Sequence, residues 1–214
     1  MAEACRRAGR DPGEVTLVAV AKGRSAAAVE AAIAAGVTDI GESYAQDAEP
    51  KVAEIGLCRC RWHFVGHLQR NKVRQVLGYA EWIHSIASVA LAREVSSRAG
   101  ALGKRAKCLV EVNVAGEASK HGVAVDAAPA LCEEAFALPH LELAGLMTVA
   151  PWAADPEHVR WVFAALRKML DGCRARGMDM AHLSMGMTGD FEVAIEEGAT
   201  MVRIGTAIFG PRDG

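Results

Sequence analysis

The sequence predicts an α/β chain built as a single (β/α)8 TIM-type barrel, and three observations carry that expectation. Short runs of β-branched and aliphatic residues alternate with longer alanine-rich segments of helical character. Eight such pairs fit into 214 residues, close to the lower limit of about 200 for a barrel of this kind. No Pro- or Gly-rich linker and no low-complexity segment divides the chain, so residues 1–214 read as one domain. A doubly wound open sheet is the competing architecture, and the regularity of the units favours closure.

VTLVAV (15–20) is the first strand, and AAAVEAAIAAG (26–36) the helix after it, ended by Gly36. VTDIGES (37–43) gives the second strand, followed by a helix over 44–56 that Pro50 should interrupt. WHFVGHL (62–68) is the third, with a helical segment over 69–78. EWIHSI (81–86) is the fourth, and Ser88 N-caps the helix over 88–103. KCLVEVNV (107–114) is the clearest strand, separated by a long loop from a helix over 126–138. LELAGLMTV (141–149) comes sixth, and Asp155-Pro156 supplies the N-cap and N1 residues of a helix over 155–177. HLSMGM (182–187), a short helix over 189–198 and TMVRIG (200–205) complete the series.

A formal net charge of −2 and an ordinary charged fraction give no support for binding nucleic acid or anionic lipid. No apolar run approaches the roughly 18–20 residues needed to span a bilayer, and the N-terminus lacks the apolar core of a signal peptide. A cytoplasmic protein is the expectation, with its six cysteines as free thiols. No apolar stripe demands a partner, so a monomer is expected.

In such a barrel the site lies at the C-terminal ends of the strands, with a phosphate position after the last two. Lys22 ends the first strand on the same face as Val18 and Val20, which aims its amine at the mouth. A lysine there also suits simple snorkelling to solvent. The tail adds the missing partner. Ser184, Gly186, Thr188 and Gly189 follow the seventh strand, and Gly205 and Thr206 follow the eighth. Glycines let backbone N–H groups approach a phosphate, hydroxyls add donors, and a helix start adds its dipole. A carbonyl-reactive lysine facing a phosphate site implies a phosphorylated aldehyde, either pyridoxal phosphate or a sugar phosphate held as a Schiff base. Arg203 shares a face with Met201 and should point inward, either toward a pyridine nitrogen or into an ion pair with Glu111. Gly23 would leave room for a bound ring. His63, His67 and His84 match no tight zinc spacing and lack a recurring carboxylate or cysteine partner, so no metal is expected. Lys120 reads as a solvated loop lysine, and Met147, Met185 and Met187 as core filling.

Five blocks carry a resemblance: WHFVGHLQRNK (62–72), EVNVAGEASKHG (111–122), GLMTVAP (145–151), LSMGMTGD (183–190) and MVRIGTAIFG (201–210). In this order the chain resembles the pyridoxal phosphate homeostasis proteins, which look like the N-terminal barrel of alanine racemase (fold type III). The resemblance implies pyridoxal 5'-phosphate as cofactor, held as an internal aldimine on Lys22. It implies that Ser184, Gly205 and Thr206 hold the phosphate and that Arg203 faces the ring nitrogen. It also implies a carrier in vitamin B6 homeostasis without turnover of its own, with PLP-dependent apoenzymes as candidate recipients. A racemase or decarboxylase is the alternative, and a Schiff-base aldolase the more distant one. The racemase resemblance calls for a second, β-rich domain with a tyrosine base; the sequence runs only four residues past IFG and holds only Tyr44 and Tyr79, so the carrier is the expectation. Two positions depart from the family pattern: Ala21 stands where a serine is expected, and Ser43 where an asparagine near the cofactor is expected. Family members also carry about a helix more before GRDP, so either a trimmed first helix or a misassigned start codon is expected.

Overall fold

The structure, a computed structural model, describes residues 1–211. Its strands are β1 (Thr16–Val20), β2 (Asp39–Glu42), β3 (Arg61–Phe64), β4 (Trp82–Ile86), β5 (Ala106–Asn113), β6 (Val123–Ala124), β7 (Leu141–Met147), β8 (His182–Ser184) and β9 (Met201–Ile204). All pair in parallel, in the order β4-β3-β2-β1-β9-β8-β7-β5, and a further β4–β5 pairing closes the ring. The two-residue β6 adds only to the outer end of β5. The expected eight-stranded barrel is therefore present.

The helices are α1 (Ala2–Arg7), α2 (Ala26–Ala34), α3 (Ala45–Ile55), α4 (Val73–Leu77), α5 (Val89–Ala101), α6 (Ala128–Phe136), α7 (Arg160–Ala175), α8 (Phe191–Glu196) and α9 (Thr206–Phe209). Ser25 and Ser88 cap α2 and α5 by accepting from Ala28 and Leu91 N–H. Asp155 caps the 3-10 turn that leads into α7, as its Asp-Pro pair indicates. Pro50 does not interrupt α3. Both Pro50 and Gln46 are exposed, so water can satisfy the carbonyl that a proline leaves unpaired. The segment after β3 departs from one continuous helix and forms a 3-10 turn (Arg70–Lys72) running into α4. Residues 2–7 do form a helix, and its Ala4 and Cys5 are fully buried. None of the described helices is long and apolar enough to cross a membrane.

Strand alternation divides the core into two layers. Val18, Trp82, Leu109, Ala144, Met147 and Met201 pack together inside the ring. Their sequence neighbours Ala19, Ile83, Cys108, Leu146 and Val202 face the helices in a larger outer core. This alternation decides which polar side chains enter the barrel.

Candidate functional site

β1 lies between β2 and β9, with Val18 level with both Asp39 and Arg203. The turn after β1 therefore emerges beside the ends of β2 and β9: Ala21 N–H donates to the Gly41 carbonyl on one side, and Gly205 abuts the Val20 carbonyl on the other. Ala21 belongs to the outer core and is fully buried. Its burial explains why a methyl is accepted where a hydroxyl was expected. Lys22 is half-buried, and its Nζ stands 5.8 Å from the centre of the Tyr44 ring. Among the described residues no carboxylate lies within 4.0 Å of that amine. Gly23 has φ +71 and open space where a Cβ would sit. The turn needs its left-handed backbone, a reason for the glycine in addition to the room it leaves.

The turn is tethered from below. Lys51 of α3 is buried, donating at 2.8 Å to the Ala21 carbonyl and at 2.6 Å to Glu42 Oε1. Glu42 is fully buried, and its Oε2 has no hydrogen-bond partner among the described residues. Burial pushes its carboxyl upward against the opposing pull of Lys51. Ser43 is half-buried at the rim, and its carbonyl packs against Gly66, where a Cβ would come within 2.0 Å of that oxygen.

Gly205 and Thr206 open α9, which has no side-chain cap. Thr206 is exposed, and a Cβ on Gly205 would touch the Val20 carbonyl at 3.4 Å, so this loop abuts the Lys22 strand. Gly186 has φ +92 and packs against Ala194 and Phe191 of α8, while Met187 N–H donates to Asp190 Oδ1 in the same turn.

Arg203 is buried inside the barrel, as the shared face with Met201 predicts. Its Nη1 donates to Ser184 Oγ at 2.6 Å and its Nη2 to the Thr148 carbonyl at 2.8 Å. Glu111 is not within ion-pair distance of the guanidinium. Burial lowers the Arg203 pKa to about 10, against the pull of the more distant Glu111 and Asp190. Glu111 is itself buried with Oε2 unpartnered among the described residues, and burial raises its pKa despite Arg203 and His121.

Ser184 takes a different position from that of an open phosphate ligand. Its hydroxyl is fully buried between Arg203 and His84 Nδ1, the latter at 2.9 Å. The site residues thus separate into two sets: Lys22, Ser43, Gly205 and Thr206 at the rim, and Ser184 with Arg203 inside the ring.

Several participants escaped the sequence reading. His84 Nε2 meets His63 Nδ1 at 2.9 Å, and His63 Nε2 meets Asp39 Oδ1 at 2.9 Å. The histidines therefore do have a carboxylate partner, Asp39, and their ring nitrogens are engaged in hydrogen bonds. Asp39 also accepts from Thr38 and, bidentately, from Arg61. Burial pushes the Asp39 pKa up, but hydrogen bonds from His63, Arg61 and Thr38 outweigh it and hold the carboxyl below its usual range. His67 and His121 stack at 4.0 Å, both exposed. Lys120 pairs with Glu117 and reaches the Val149 carbonyl at 3.4 Å. Met147 and Met185 are buried, whereas Met187 is exposed. A His beside a β-strand was visible in the sequence, but nothing local named its partners.

A closed parallel barrel with a lysine at the end of its first strand and a buried arginine in its last matches one family along nearly its whole length. The model of the alanine racemase N-terminal domain covers residues 2–213. The "Pyridoxal phosphate homeostasis protein" of Pseudomonas aeruginosa is 45% identical over 99% of this chain and 90% of its own length. That of Escherichia coli K12 is 39% identical over 98% of this chain and 91% of its own. The chain belongs to this family of alanine racemase N-terminal-type barrels, the pyridoxal phosphate homeostasis proteins. Among solved structures, PipY of Synechococcus elongatus PCC7942 with PLP bound superposes with a TM-score of 0.86 at 34% identity, covering 98% of this chain and 99% of PipY. An alanine racemase of Clostridium difficile has a TM-score of 0.75 at 14% identity, covering 99% of this chain and 55% of the racemase, a likeness of fold alone.

Proposed function

We propose that the chain binds pyridoxal 5'-phosphate at the barrel mouth and serves vitamin B6 homeostasis as a carrier without turnover. The observation that carries this reading is the packing of Gly205, at the uncapped start of α9, against the Val20 carbonyl of the strand that leads into Lys22, with Arg203 buried in the neighbouring strand and paired with no carboxylate among the described residues. When bound, the cofactor supplies an aldehyde for a lysine amine, a phosphate for backbone donors and a ring nitrogen for a hydrogen bond. The residues present fit that set. Lys22 attaches the cofactor covalently. Gly205, the Thr206 hydroxyl and the first N–H groups of α9 take the phosphate. Ser43 lines the rim, and Ser184 orients Arg203 from below rather than meeting the phosphate with its own hydroxyl. Arg203 donates its hydrogen bond without surrendering a proton, which leaves a ring nitrogen unprotonated and its electron-withdrawing power low.

Two further observations support carriage. Lys22 is half-exposed and Thr206 exposed, so water and free amines reach the rim, which suits exchange and works against water-excluded chemistry. Tyr79 is buried against Trp62 in the outer core, and Tyr44, the tyrosine near the lysine, is exposed, so neither stands in the water-excluded setting that suits a racemase's base. Recipients of the cofactor would be PLP-dependent apoenzymes, and the chain would work as a monomer in the cytoplasm.

Borohydride reduction of protein loaded with pyridoxal phosphate, followed by peptide mapping, tests the reading. The label should appear on Lys22 and vanish in Lys22→Ala. A label on Lys51 or Lys120 instead, or none on the wild type, would overturn it. Racemisation of free amino acids at a rate that Lys22→Ala abolishes would overturn carriage without turnover.

A further inference from the structure

Five side chains from five strands form one continuous line through the barrel interior: Asp39 (β2), His63 (β3), His84 (β4), Ser184 (β8) and Arg203 (β9). Every link is 2.6 to 2.9 Å long. All five residues are buried, with His63, His84 and Ser184 fully so. Trp82 stacks on His63 with an interplanar angle of 4° and meets His84 edge to face, which fixes both imidazole planes.

With one proton on each imidazole, a single assignment of donors and acceptors satisfies every link in this line. Arginine has no acceptor, so Arg203 donates to Ser184 Oγ. At the other end Asp39 is an ionised carboxylate that can only accept, so His63 carries its proton on Nε2. His63 then accepts on Nδ1 from His84 Nε2–H, which leaves His84 Nδ1 as an acceptor. Ser184 must supply the remaining proton. Every bond therefore runs the same way, from the guanidinium toward the carboxylate. The geometry points to Asp39, His63 and His84 as positioning residues that hold Ser184 Oγ as an acceptor for Arg203, and thereby set the orientation in which Arg203 meets the ring nitrogen of a bound cofactor.

A line of this kind does more than five separate bonds. Each link polarises the next, so the distant carboxylate makes the serine oxygen a stronger acceptor than an isolated hydroxyl would be. Burial above all lowers the His84 pKa well below the usual range, which keeps that ring at a single proton. Asp39 is anchored outside the ring by Arg61, half-exposed at the N-terminal end of the strands. The line thus runs from the closed floor of the barrel toward its mouth.

The consequence for the cofactor rests on the function proposed above, whereas the direction of the line does not. Two measurements keep them apart. In cofactor-free wild-type protein, 15N spectra of labelled histidine should show His84 and His63 both protonated on Nε2 and bare on Nδ1. A proton on His84 Nδ1 would overturn the direction, and no variant is needed to learn this. In protein loaded with pyridoxal phosphate, Asp39→Asn and His84→Phe should shift the visible absorption maximum and weaken cofactor retention about tenfold, in the range expected for one misdirected charge-assisted hydrogen bond. Covalent attachment to Lys22 should survive in both. Folded, loaded variants with the wild-type spectrum would overturn the positioning role. Wild-type protein with no visible band would instead sink the cofactor reading, leaving the histidine protonation pattern to be judged by itself.

Discussion

At Glu42 the barrel wall holds a carboxylate with no exposed surface, answered by a single lysine. Removing that lysine leaves a buried charge without its partner, a change that costs about 3–5 kcal/mol. Lys51→Met should therefore destabilise the protein by that order, and Glu42→Gln in the same chain should restore part of it. The pH dependence has a definite sign. Glu42 titrates above its ordinary value in the folded chain, so its contribution is full below the unfolded carboxyl pKa and declines as pH rises through the folded one. Without Lys51 the folded value rises further, and the deficit should be larger at about pH 8 than at about pH 5. Denaturant unfolding at the two values checks this, and an equal deficit at both would contradict it. At this scale the sequence was partly legible. Lys22 and Arg203 could be placed by strand alternation alone. Lys51 could not, because its partners are the Ala21 carbonyl 30 residues earlier and a carboxylate on another element.

Elements meet at two glycines with opposite consequences. Gly66 follows β3 where the loop after β2 crosses it, and a methyl there would stand 2.0 Å from the Ser43 carbonyl oxygen. Backbone cannot yield cheaply, so Gly66→Ala should cost about 2 kcal/mol or more and displace the rim at Ser43. Gly172 lies exposed within α7, and nothing stands within 4 Å of the place a methyl would take. There Gly172→Ala should stabilise by about 0.5–1 kcal/mol, since alanine is the better helix former. Paired thermal melts should move in opposite directions, and a like shift in both would refute the contrast. Hydrophobic periodicity revealed the order of these elements because each buries a regular stripe. It did not reveal that α3 runs straight through Pro50, or that the segment at 69–78 breaks into two turns. The first outcome depends on which carbonyl faces water, a tertiary property.

On the scale of the whole molecule, α1 acts as a clamp on α8. Arg7 pairs with Glu192 and Glu196 of α8, and Arg10 donates at 2.8 Å to the Ile195 and Ala199 carbonyls. With Ala4 and Cys5 also buried, deletion of residues 1–9 should remove about 1–3 kcal/mol and lower the melting temperature by roughly 3–10 °C. An unchanged melting curve would show the clamp to be ornamental. The barrel itself was legible in the alternation of strands and helices, and so was the end at which a site should form. The interior line from Asp39 to Arg203 was not. Its histidine links span 21, 24 and 100 residues of sequence, and only the closed ring brings them together.

Arg24, two residues past Lys22, donates across 186 residues of chain to the carbonyl of Gly210. This bond fastens the seam where β1 meets β9, and the rim on either side of it comes from opposite ends of the chain. The ring is closed where its first and last strands meet, and this bond is the latch across that closure. Loss of the Arg24 guanidinium would loosen both sides of the seam together, because neither side has the other's chain neighbours to hold it.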